Sequence, residues 1–233
     1  MILTLPVSRG DYKILYGRAF MIKKIAIATV ETTAKTIVNA IPGGSIVTSV
    51  YDAVKGGCLE KRQDKWKAAI ESRMSTVEKT LEDIGNNEAF TTALIKATEL
   101  AMRTSLDEKE EYLANGVLHT CNVDLDEEKL IVFMDMLEKY TISHIKILIF
   151  FSNPRAYEGM DRYLNCIGSP TTPLFDIYPE LENGMFKKLH SDLYYDGLLT
   201  SDNFNVTVTG AGMLAKRTSP LADEFLKFIF DKR

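Results

Sequence analysis

Leu193-Tyr194-Tyr195-Asp196-Gly197-Leu198-Leu199, then Thr207-Val208-Thr209-Gly210, then Ser219-Pro220-Leu221 leading to Phe225-Leu226-Lys227-Phe228-Ile229, are the stretches that decide the fold. Glycine just past the last periodic residue supplies the left-handed turn that ends helices, so one helix stops at Asp196-Gly197. Serine followed by proline is a helix start, so another begins at Ser219. Between them, two short apolar runs flank the polar residues 200–205, which is the pattern of a β-hairpin. Helix, hairpin, helix in that order predicts a winged-helix-like module.

Working outward, residues 181–195 keep helical spacing through Met185, Phe186, Leu189, Leu193 and Tyr194. Residues 152–179 carry Pro154, Pro170, Pro173 and Pro179 and read as a long loop with one short helix. Thr141 caps the apolar segment 142–151. Its β-branched content also suits a strand, but the cap and the helix before it favour a buried helix.

The middle of the chain is the most plainly helical part. Trp66, Ile70, Met74, Val77, Leu81 and Ile84 step by three or four over 59–84, and Gly85-Asn86-Asn87 ends that helix. A second helix opens at Phe90. Ser105-Leu106-Asp107-Glu108 has the form of a capping box, and Asp124-Leu125-Asp126-Glu127 opens a helix through Leu130, Phe133, Met134 and Leu137. Residues 21–57 read as two amphipathic helices broken at Pro42-Gly43-Gly44. Residues 1–20 show no period and suit either a loose arm or a translation start at Met21.

Charge is uneven, at +4 over 1–57, −7 over 58–140 and −1 over 141–233, for a total of −4. An acidic balance argues against a general nucleic-acid binder. The longest uncharged run, 36–51, contains Asn39, Pro42, Gly43 and Gly44 and falls short of the ~20 apolar residues of a spanning helix. Cys58, Cys121 and Cys166 are widely spaced and read as reduced thiols of a cytoplasmic protein.

No motif of catalysis or cofactor binding stands out. His119, His144 and His190 have no metal-ligand partner at helical spacing, so no metal is expected. The acidic clusters at 107–111 and 124–128 lack the calcium-loop pattern and suit first helical turns. Gly43-Gly44-Ser45 lacks the phosphate-loop lysine, and no serine sits in a nucleophile elbow. As a DNA reader, the helix ending at Asp196 offers Lys187 and Lys188 but also Glu180, Glu182, Asp192 and Asp196. Lys216 and Arg217 are the only compensating pair, so nucleic acid is a disfavoured partner.

Residues 108–120, the run Glu128-Lys129-Leu130-Ile131-Val132-Phe133 leading to Leu137-Glu138-Lys139-Tyr140-Thr141, and Leu193–Leu199 followed by Thr207-Val208-Thr209-Gly210-Ala211-Gly212 form a series of apolar and turn patterns. In that order they resemble the bacterial abortive-infection alpha family, helical proteins associated with phage resistance. The resemblance covers residues 90–230 with gaps, and Ile41-Pro42-Gly43-Gly44-Ser45 is similar to openings of such proteins. It implies a biological setting and no catalytic residues.

The expectation is a mainly α protein. A helical bundle occupies 1–140, with 1–20 as a loose arm, and a winged-helix-like α+β domain with one β-hairpin occupies 141–233. It is expected to be a non-enzymatic cytoplasmic bacterial protein, without cofactor, acting through protein-protein contacts in phage defence or stress response. Two other classes have their own candidate residues. A membrane-acting effector would use the basic segment 21–57, with Lys23, Lys24, Lys35, Ile37 and Ile41 against a membrane or partner. A winged-helix transcriptional regulator would use Lys187, Lys188, Lys216 and Arg217 against nucleic acid.

Overall fold

The computed structural model describes residues 55–74, 87–122 and 126–230. The arm expected over 1–20, the candidate contacts Lys23, Lys24, Lys35, Ile37 and Ile41, and the end of the helix expected over 59–84 lie outside the described residues. Among the described residues the chain is mainly α-helical with one small antiparallel β pair, as expected. It divides into two units, Met1–Met134 and Asp135–Arg233.

In the first unit, α1 (Glu60–Met74), α2 (Glu88–Arg103) and α3 (Asp107–Asn122) pack on one another. Close approach is possible because α2 turns Ala93, Ala97 and Ala101, all 0% exposed, toward its neighbours at four-residue spacing. Trp66 of α1 is buried there and donates its indole N–H to Thr98 Oγ1 at 3.0 Å. Asn87 starts α2 by accepting from the Phe90 amide at 2.9 Å, which satisfies one otherwise unbonded donor. At the start of α3 the Thr104 hydroxyl accepts from the Leu106 amide, and the helix proper begins at Asp107. The cap of α4 (Glu127–Lys139) is Asp126, whose carboxylate accepts from the Lys129 amide at 3.2 Å.

The second unit is organised around α5 (Ile142–Ser152). Ile145, Ile147, Leu148, Phe150 and Phe151 are all buried, so the helix is apolar on nearly every side. It packs against α7 (Phe186–Tyr195) and α9 (Pro220–Ile229). The inner face of α7 is Phe186, Leu189, His190 and Leu193, spaced as one helical stripe. α9 is capped by Ser219, which accepts from the Ala222 amide at 3.2 Å with Pro220 at the first helical position. Gly197, at φ 75°, ends α7, and the Leu198 amide reaches back to the Leu193 carbonyl at 2.8 Å.

Three local expectations change. Residues 152–179 are mostly short helical turns rather than loop: 3-10 turns at Pro154–Ala156 and Met160–Tyr163, strand β1 (Ile167–Gly168), and α6 (Thr171–Ile177). The helix expected from 181 begins at Phe186, because Asn183 bonds the Glu180 carbonyl and the Met185 amide and holds the chain in a turn. The strands flanking the polar 200–205 pair elsewhere. Strand β2 (Val208–Thr209) pairs with β1 in the register Ile167↔Thr209 and Gly168↔Val208, while Leu199 bridges Thr218.

The reason for that pairing lies at Gly210, the first residue of the short α8 (Gly210–Met213). A Cβ there would overlap the backbone carbonyls of Tyr163 and Leu164. The missing side chain lets β2 approach the 160–164 turn and settle on β1. Gly210→Ala is expected to destabilise the chain by about 1–3 kcal/mol, the usual range for forced overpacking. A shift in urea midpoint, measured by circular dichroism, checks it. Wild-type stability would mean that the close approach is not required.

Candidate functional site: the cavity beside α7

The start of α7 faces the chain around Phe204, which lies on the excursion between the Leu199 and Thr218 bridge positions. Phe186 at the helix start meets Phe175 edge-on, centroids 5.0 Å apart at 83°, and Phe204 likewise at 5.1 Å and 86°. These three rings floor an open cavity of about 550 Å³. Phe186 is buried, whereas Phe175 and Phe204 are half-buried and keep apolar surface in the cavity. Glu182, Lys187 and Asn205 are exposed residues of its lining.

His190 lies one turn beyond Phe186 and is 3% exposed. Its ring packs against Phe204 at 5.0 Å and Phe186 at 5.8 Å. Nδ1 has no hydrogen-bond partner among the described residues. Burial pushes its pKa down to about 4, with the Asp202 carboxylate opposing that shift and Arg217 reinforcing it. The imidazole is therefore neutral near pH 7 and behaves as one more ring of the aromatic cluster.

The four expected nucleic-acid contacts have different surroundings. Lys187 lines the cavity. Lys188 is paired with Asp192 one turn along α7, and its hydrogen bond holds that carboxyl below the ordinary range. Lys216 is paired with Asp223. Burial works against ionisation of Asp223, but hydrogen bonds from Lys216 and Thr218 hold its pKa below normal. Arg217 donates from Nη2 to the Gly212 carbonyl at 2.7 Å, and partial burial depresses its pKa. Three of these four cations thus act inside the unit.

The residues that sequence reading missed are Phe175 and Phe204. Phe204 sits in a polar run, Ser201-Asp202-Asn203-Phe204-Asn205, where one aromatic is the only available signal. Among the described residues no group of three or more His, Cys, Asp or Glu could hold a metal ion. Nor is any helix there long and apolar enough to cross a membrane.

His190 generates a pH dependence with a definite sign. Below its ordinary pKa of 6.5 the unfolded chain takes up a proton that the folded chain refuses until about pH 4. Stability present above pH 6.5 is therefore lost as pH falls through that window, by up to roughly 3 kcal/mol. His190→Phe removes this contribution. Urea unfolding at pH 7 and pH 4.5 is expected to show a smaller loss for the variant, and equal losses would contradict a buried neutral imidazole. No protein-family model, curated protein or solved structure matches this chain.

Proposed function

We propose that the chain is a non-enzymatic bacterial protein of the cytoplasm that acts through protein contacts, in phage defence or stress response. Its second unit would serve as a winged-helix-like contact module. The order α5, β1, α6, α7, bridge at Leu199, β2, α8, bridge at Thr218, α9 supports this reading in its alternation of helices and short extended pieces, with β2 and α8 added between the two bridge positions. The resemblance to abortive-infection alpha proteins supplies the setting.

The observation that carries this reading is the use of charge around α7. Lys188 and Lys216 answer nearby carboxylates, and Arg217 answers a backbone carbonyl. Lys188 and Lys216, already set against carboxylates, offer less to phosphate than free cations would. An open, aromatic-floored cavity beside the same helix suits a protein side chain better. The regulator reading is the weaker one on this ground, and the membrane reading rests on residues 21–57 alone.

A photo-crosslinking amino acid at Asn205, with Glu99 on α2 as control, tests this in cells before and during phage infection. Asn205 is expected to yield a discrete protein adduct that the Glu99 position does not. Adducts to nucleic acid alone, or the same adducts from both positions, would overturn the reading.

A further inference from the structure

We propose that the cavity beside α7 receives an aromatic side chain of a partner protein, presented between an acidic and a basic residue of the same extended segment. This rests on the contact reading above and names the chemistry of the partner. The floor selects an aromatic guest. Phe175 and Phe204 each stand edge-on to the buried Phe186, and an entering ring extends this cluster in the offset or edge-to-face contacts that aromatic pairs prefer. Phe175 and Phe204 are half-buried, and the guest covers the apolar surface they leave in water. A volume of about 550 Å³ accommodates an indole with its flanking backbone.

The mouth sets the charges. Lys187 on α7 and Glu182, at the end of the 3-10 turn Pro179–Leu181, are exposed, and neither makes an ion pair among the described residues. They are opposite charges left uncommitted at one opening, so a matching segment carries a carboxylate for Lys187 and a cation for Glu182. Asn183 is unavailable, because its carboxamide bonds Glu180 and Met185. The Asn205 side chain is the carboxamide left to meet the segment's peptide groups.

The test is fluorescence anisotropy of labelled, end-blocked peptides titrated with the full chain. The cores are Glu-Trp-Lys, Glu-Ala-Lys, Lys-Trp-Lys and Glu-Trp-Glu. Glu-Trp-Lys is expected to bind most tightly, with Glu-Ala-Lys weaker by at least about tenfold, the loss expected for an unburied ring. The other two should fall between. Lys187→Glu, at an exposed position, should reverse the order so that Lys-Trp-Lys exceeds Glu-Trp-Lys, and Phe204→Ala should abolish the preference for tryptophan.

Binding indifferent to the tryptophan or to the charge swap would overturn the proposal. Free tryptophan competing as well as the peptide would overturn it too, marking a small-molecule site. If Asn205 captures a protein in cells but no peptide binds, this proposal falls and the contact reading stands. If the peptide binds as described with no protein adduct in cells, the contact reading falls instead.

Discussion

Two carboxylates one turn apart, Asp192 on α7 and Asp196 just past its end, fix how that helix sits in the second unit. Asp196 accepts from the Tyr140 hydroxyl at 2.5 Å and from Lys139 at 2.5 Å. Tyr140 is 1% exposed, and burial, with the Asp196 hydrogen bond second, holds its phenol well above the ordinary range. A phenol that stays protonated next to a carboxylate makes a strong charge-assisted bond. His144 adds a second tie. Its Nδ1 accepts from the Thr141 amide at 3.1 Å, which leaves Nε2 facing Asp192 at 3.6 Å, an electrostatic rather than hydrogen-bonding distance. The Tyr140 and His144 rings lie 5.2 Å apart, so the start of α5 and the end of α7 are joined through one polar cluster.

That tie determines the faces of α7. With Asp192 and Asp196 turned to the α5 start, Phe186, Leu189, His190 and Leu193 go inside, and Lys187 and Lys188 are exposed. A rotation by one residue would carry a lysine into the apolar interior at a cost of several kcal/mol. The ion pairs on this surface, Lys188 with Asp192 and Lys216 with Asp223, add little stability because they are largely solvated. Their consequence is electrostatic. They set a carboxylate against Lys188 on α7 and another against Lys216 beyond α8, which lowers the positive charge each presents to solvent.

Much of the fold was legible because its signals are local. The cap residues Thr141 and Ser219 and the helix end at Gly197 all depend on neighbours within a few positions. What escaped depends on distant partners. Val208-Thr209 pairs with β1 because Gly210 fits against carbonyls of Tyr163 and Leu164, more than forty residues earlier. The delayed start of α7 reflects two side-chain bonds of Asn183 that overrule an apolar period. The cavity was invisible in sequence, since Phe204 joins Phe186 and His190 only after the chain has folded.

The proposed partner of α7 is a protein rather than phosphate. The direct measurement is anisotropy of a labelled duplex of arbitrary sequence, titrated at about 50 and 200 mM salt, where phosphate contacts show a steep difference. The full chain is compared with its Lys187→Ala/Lys188→Ala variant. The substitutions are expected to leave the titration unchanged, because Lys188 is held by Asp192 and Lys187 stands at a cavity mouth. Saturable, salt-sensitive binding by the wild type that the double substitution abolishes would contradict it.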